Sequence, residues 1–248
     1  MDRLLYVAMN GAKSMFDRQN QVAHNLANVS TPGYRAETSA FRALPVIGPG
    51  AKTRAFVAET TTGTDFSYGA MQETGRLYDL AIDGKGFIAV RGADGKEAYT
   101  RDGSLEVGRT GLLQGRDGFP VLSDTGATIQ IPPDNTITIG RDGTISAIPM
   151  VGIPNTATIV GRIKLVNPPE KELQRGDDGF FRQKNGRNAP ADTGVRVTSG
   201  MIEGSNVNAV EAITSIISVA RQYETQVRLM QSADQNARSL SQLLNLSA

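Results

Sequence analysis

Apolar residues at both ends of the chain recur in alternating steps of three and four, and the long middle follows a different rhythm. From Ser205 to Ala248 there is no glycine and no proline. One seam runs through Ala209, Ile213, Ile216, Ala220, Tyr223, Val227, Met230, Asp234, Ala237, Ser241 and Leu244, and nine of these eleven are apolar or aromatic. A mean spacing of 3.5 residues keeps a narrow stripe facing a partner helix, as in a coiled coil. Asn208 followed by Glu211 is an asparagine form of the capping box and predicts the helix start. At 1.5 Å per residue such a helix is about 55 Å long. Residues 3–27 carry the same seam in Leu5, Ala8, Ala12, Met15, Gln19, Val22 and Leu26. The small Ala8 and Ala12 would let another helix approach closely. Pairing the two terminal helices antiparallel is the economical packing, and a helical hairpin capping one globular domain is the alternative. The C-terminal helix would overhang its partner by about ten residues, and an overhanging coiled-coil seam implies neighbouring chains.

A dense breaker, Asn28-Val29-Ser30-Thr31-Pro32-Gly33-Tyr34, ends the first helix. Asn28 tolerates the left-handed conformation, Pro32 drives Thr31 out of the helical region, and Pro32-Gly33 favours a tight turn. Asn25 and Asn28 share one face of the last turn, where their amides can cap helix-end carbonyls or bond a neighbouring subunit. Residues 35–75 contain Pro45, Pro49, scattered aromatics and the Thr60-Thr61-Thr62 run. They read as an extended, partly β connector, and forty residues without regular structure make better sense with other chains packed on them.

The middle, residues 76–204, reads as antiparallel β. Asp-Gly recurs at Asp83, Asp94, Asp102, Asp117, Asp142 and Asp178, and that pair supplies the positive backbone angles of tight hairpins. Strand-like runs lie between the turns at 87–90, 98–101, 105–107, 119–122, 128–131, 136–139, 144–148, 159–166 and 195–198. Such short strands at regular intervals predict a small barrel or sandwich. The expected fold is therefore α+β. Residues 1–34 and 205–248 form a helical layer, 35–75 a connector and 76–204 a central antiparallel β domain.

Composition narrows the chemistry. Of 27 glycines, 26 fall between Gly33 and Gly204, and all eleven prolines between Pro32 and Pro190, which sharpens the helix–middle–helix division. With 26 Lys+Arg against 25 Asp+Glu, no charge field draws the chain to nucleic acid or an anionic membrane. No apolar run reaches membrane-spanning length. The opening Met1-Asp2-Arg3, then Leu4 to Met9, turns polar too soon for a secretory signal peptide. Cysteine is absent, which suits a chain that crosses a narrow channel unfolded but is also common in bacterial proteins. His24 is the only histidine and has no acidic residue one helical turn away, so metal and Ser-His chemistry are not supported. Asp79, Asp83, Glu97, Asp102 and Glu106 could in principle converge as a carboxylate pair, but turn formation already accounts for most of them. No catalytic, cofactor or metal constellation emerges, so the chain is expected not to be an enzyme. The rival reading of another class is a monomeric enzyme or carbohydrate-binding β domain with a helical appendage.

Asn25-Leu26-Ala27-Asn28-Val29-Ser30-Thr31-Pro32-Gly33-Tyr34-Arg35 resembles the N-terminal signature of bacterial flagellar axial proteins, the rod, hook and hook-associated subunits. The resemblance continues through residues 79–87, through Tyr99-Thr100-Arg101-Asp102-Gly103-Ser104, and through Ser199-Gly200 with Glu203 to Asn208. Val210-Glu211-Ala212 and Arg221-Gln222-Tyr223-Glu224 extend it into the last helix. The opening residues and the length look most like the proximal-rod members, with distal-rod and hook-type paralogues as alternatives. The resemblance implies a structural subunit of the periplasm-crossing rod, exported through the flagellar secretion apparatus without a cleaved signal. Its partners would be other rod subunits and further copies of itself. It also implies that the terminal helices line an inner tube with the β domain outside. The tube contacts expected on that basis are Leu5, Ala8, Ala12, Met15, Val22, Leu26, Ile213, Ile216, Ala220, Tyr223, Val227, Met230 and Leu244. Asn25 to Tyr34 would set the angle at which the chain leaves the tube.

Overall fold

A computed structural model describes residues 3–45, 55–149 and 157–246. One compact unit gathers Met1–Val29, Ala36–Asp65 and Val207–Ala248, and a second holds Ser30–Arg35 and Phe66–Asn206.

The first unit contains the helices α1 (Arg3–Ala27) and α2 (Ala209–Leu246), which lie against each other. Asn208 caps α2 as its sequence requires, its Oδ1 accepting from the backbone N–H groups of Val210 at 3.0 Å and Glu211 at 3.3 Å. A Cβ at Gly11 would stand 3.3 Å from the Gln226 amide, so these two residues face each other across the pair. The buried positions of α2 run from Ala212 to Ala233 on either side of Gln226, a span that α1 covers only if the helices run antiparallel. Beyond Ala233, α2 continues past the start of α1.

The connector expected at 35–75 contains a long hairpin, β1 (Glu37–Pro45) against β2 (Ala55–Thr64), in antiparallel register with a bulge after Ala40. Polar side chains of α1 hold it. Asn25 donates its amide to Glu37 O and accepts from Glu37 N, both at 2.9 Å, imitating a neighbouring strand. Farther along, Gln21 Oε1 accepts from the Ser39 hydroxyl at 2.7 Å, and Asn10 Oδ1 from Val57 N at 2.9 Å. The hairpin base closes where Asp65 N donates to Ala36 O.

The second unit is a domain of small antiparallel sheets. Its strands are β3 (Met71–Glu73), β4 (Leu80–Asp83), β5 (Phe87–Arg91), β6 (Glu97–Thr100), β7 (Leu105–Val107) and β8 (Leu113–Gly115). They continue as β9 (Asn135–Ile139), β10 (Thr144–Pro149), β11 (Thr158–Arg162), β12 (Leu165–Val166), β13 (Leu173–Arg175), β14 (Phe181–Gln183), β15 (Arg196–Ser199) and β16 (Met201–Glu203). The largest sheet has the order β12-β5-β6-β14-β13, and a second has the order β11-β10-β9. The remaining pairs are β15-β4, β16-β3 and β7-β8. Three of the expected strands take another form. The run 159–166 breaks into β11 and β12, and the runs 119–122 and 128–131 contribute only isolated bridges. In each case the chain turns to cover the core before a ladder can lengthen.

Leu80, Ile82, Ile88, Leu113, Val121, Ile137, Ile145 and Ile163 are fully buried in the main core. Each contributes on the order of 1.5–3 kcal/mol of apolar burial. A second cluster, around Phe87, Phe181 and Leu173, includes the buried Tyr99. Tyr99 donates to Glu97 Oε1 at 3.0 Å and accepts from Ala189 N at 2.6 Å, and burial pushes its phenol up to about 12.

The outgoing segment β3–β4 and the returning segment β15–β16 form one two-stranded ribbon. At its kink, Gly200 (φ 80°) accepts from Thr74 N and Gly75 N, while its own N–H donates to Asp79 O. Both ends of the β domain's chain therefore meet at Glu203.

Candidate assembly interface and a buried charged hub

Within the helical unit, the expected seam of α1 faces inward. Ala8 and Ala12 are buried, and Leu5, Met15, Val22 and Leu26 are partly so. On α2 the inward stripe is rotated by about one residue from the expected one, a rotation of roughly 100° per residue on a helix. Ala212, Val219 and Ala233 are its buried members, with Ile216 and Met230 partly buried between them. Ala220 and Val227, one residue along, are also partly covered. Ile213 and Tyr223 are 48% and 37% exposed. The side chain of Leu244 lies outside the described residues. A second apolar stripe consequently faces outward on each helix: Tyr6, Met9 and Phe16 on α1, and Val210, Ile213 and Ile217 on α2. Large apolar side chains grouped on one face mark a contact surface.

The signature turn is built as its residues dictate. Asn28 caps α1, its side-chain amide donating to His24 O at 2.9 Å. Asn25 holds β1 as described, and His24 Nδ1 stands 3.5 Å from Glu37 Oε2. Tyr34 N donates to Thr31 O across Pro32-Gly33, with Gly33 at φ 66°, as a type II turn demands. Gly33 is required twice over, because a Cβ there would also overlap the Arg101–Asp102 peptide. Leu26 is partly buried, and Tyr34 is buried with the Arg175 guanidinium 4.5 Å from its ring centroid.

The residues that lock this turn to the β domain carry no local sequence pattern of their own. Glu203 is buried at the end of β16 and takes a salt bridge from Arg35 on Oε1 at 2.6 Å. Arg101 reaches its Oε2 through Nε at 2.6 Å and Nη2 at 2.5 Å. Gly69 N donates to Oε1 at 2.9 Å, and Gly33 N to the Glu203 backbone carbonyl at 2.7 Å. The remaining Arg101 donors go to carbonyls of the β4–β5 turn, Gly84 at 2.8 Å and Gly86 at 2.9 Å. Nearby, Asn206 N donates to Tyr34 O, and its side-chain amide bonds Ser67. One carboxylate thus ties together the exit turn, the segment returning from the hairpin, the end of β6 and the end of the ribbon. Burial pulls the Arg101 guanidinium below its usual range; Glu203 opposes that shift, and Arg35 adds to it. The three charged residues each stand inside or beside a separate family-like stretch of the sequence, and that was the available signal.

Among the described residues, no helix is long and apolar enough to cross a membrane, and no cluster of three or more His, Asp or Glu side chains is placed to hold a metal ion. Asp79, Asp83, Glu97, Asp102 and Glu106 form no such cluster. Glu97 is held by Lys164 at 2.8 Å, Asp102 accepts from Ser104 N, and Asp83 pairs with Arg141 at the surface.

Three family models match consecutive parts of the chain. Residues 5–35 match the flagella basal body rod protein model, and 81–147 the D1 domain of the flagellar hook protein FlgE/F/G model. Residues 198–243 match the C-terminal model of flagellar basal body rod FlgEFG proteins. The flagellar basal-body rod protein FlgF of Escherichia coli is 45% identical, and that of Salmonella typhimurium 43% identical, each over the whole of both chains. The flagellar basal-body rod protein FlgG of Bacillus subtilis is 30% identical over 99% of each chain. The hub and the signature turn lie in or beside the matched segments, and the similarity runs end to end: the chain belongs to the flagellar basal-body rod protein family.

Proposed function

We propose that this chain is a structural subunit of the flagellar basal-body rod, of the FlgF-like proximal kind. It joins other rod subunits and further copies of itself through the outward faces of α1 and α2. The 43% and 45% identity to the FlgF proteins of Salmonella typhimurium and Escherichia coli, against 30% to FlgG of Bacillus subtilis, supports the proximal over the distal assignment. The structural observation that carries the reading is the second apolar stripe. Tyr6, Met9, Phe16, Val210, Ile213 and Ile217 stay exposed although the seam between the helices is already satisfied within one chain. Head-to-tail contacts through unlike faces build a helical assembly instead of closing as a dimer. Stiff helices packed side by side would transmit torque, and a chain without cysteine suits passage through the flagellar export apparatus as an unfolded thread.

Two neighbouring substitutions test this. Ile217→Asp places a charge on the outward stripe, where the isolated subunit tolerates it, and should abolish incorporation into purified basal bodies and swimming. Ile216→Asp places the charge toward α1 and should also lower the stability of the free subunit. An Ile217→Asp subunit that still enters basal bodies and supports motility would remove the outward stripe from the interface.

A further inference from the structure

The hub is short of negative charge. Arg35 and Arg101 are both buried, and among the described residues Glu203 is the one carboxylate that pairs with them. Arg35 Nε and Nη1 are buried without a hydrogen-bond partner, although they belong to a side chain that is always charged. Two guanidinium groups sharing one carboxylate leave a net positive charge inside the fold, which is costly unless a further anion balances it. Beside the two arginines is a small cavity of about 20 Å3, lined also by Phe66, Tyr68, Phe87 and Pro168. That is room for one particle of roughly water size. At its rim Lys85 and Glu170 face each other at 3.5 Å and cancel, so the positive potential inside comes from the guanidinium pair.

We infer that this cavity is a site for one chloride-sized monovalent anion, which supplies the charge that Glu203 leaves unbalanced. The pocket opens between Lys85 and Glu170, and its water-sized inner space suits a monatomic ion better than sulfate or a carboxylate. The arrangement is independent of the rod assignment, because every group in it belongs to the β-domain unit.

The test uses the full chain. Thermal unfolding is followed at constant ionic strength while sodium gluconate is replaced by sodium chloride or sodium bromide. The expected result is an upward shift of the unfolding midpoint that saturates with halide; a general salt effect would keep growing. Acetate and sulfate should not reproduce it. Arg35→Gln removes the excess charge and should abolish the halide-specific shift. Should that variant fail to fold, bromide-soaked crystals of the unaltered chain give the answer directly. An anomalous peak beside Arg35 and Arg101 supports the site. Equal midpoints in all salts, or water alone in the cavity, overturn it.

Discussion

Arg35 and Glu203, 168 positions apart in the chain, are joined by a buried guanidinium–carboxylate contact of 2.6 Å. Arg35 closes the exit turn after α1, and Glu203 ends the strand that leads back toward α2. The same carboxylate takes Arg101 on its other oxygen. Leaving and returning segments are therefore pinned at one point of the β domain.

Glu203→Gln keeps the shape of the side chain but leaves two buried guanidinium groups without their shared carboxylate. Breaking a buried pair in this way costs about 3–5 kcal/mol. Urea denaturation should show the midpoint falling with the slope unchanged. A loss below about 1 kcal/mol, the level of an exposed pair, would mean the hub is wetter than its burial indicates.

Gly33→Ala combines a positive φ with overlap against the Arg101–Asp102 backbone. The expected loss exceeds about 2 kcal/mol. A variant as stable as the parent would show that the exit turn relaxes away from the β domain without cost.

The Asp-Gly pairs separate into two kinds. Gly95 has φ 74° and open space around it, so Gly95→Ala should cost about 1 kcal/mol from backbone conformation alone. Gly103 lacks the positive φ, yet a Cβ there would overlap the Leu80 carbonyl, and Leu80 N donates to Gly103 O at 2.9 Å. Gly103→Ala should be the more damaging by chemical denaturation, and the reverse order would contradict the close approach of the two backbones.

Asn25→Asp preserves size but removes the amide that donates to Glu37 O. It sets a carboxylate against a carbonyl and should loosen β1 from α1. Hydrogen exchange at residues 37–45 should rise while the β-domain amides stay protected; unchanged protection in β1 would show that Gln21 and Asn10 hold the hairpin unaided.

Asp178 sits with Arg182 at 2.6 Å, and that hydrogen bond holds its carboxyl below the ordinary 3.8. The folded pKa is lower than the unfolded one, so its stabilisation is complete above the unfolded value. It is lost as pH falls through the folded value. Asp178→Asn should cost about 1 kcal/mol at neutral pH, as a half-shielded pair. That difference should shrink at the acid end of a pH–stability profile, and a difference independent of pH would assign the loss to packing instead.

The terminal helices, the Asn208 cap, the Pro32-Gly33 turn and five of the six Asp-Gly turns with positive-φ glycine were all legible in the residues. Each is local: a missing Gly or Pro, a side chain reaching three residues ahead, or a backbone angle only glycine adopts cheaply. The face of α2 that meets α1 was not legible, because 212–216–219 and 213–216–220 are both apolar series and only the partner chooses between them. The β1–β2 hairpin was obscured for a related reason. Its anchors are amides on α1, and nothing in its own alternation records them. The Arg35–Glu203–Arg101 hub was visible only as three charges inside family-like stretches. A buried charge is tolerable solely where distant groups neutralise it, and tertiary structure alone brings positions 35, 101 and 203 together.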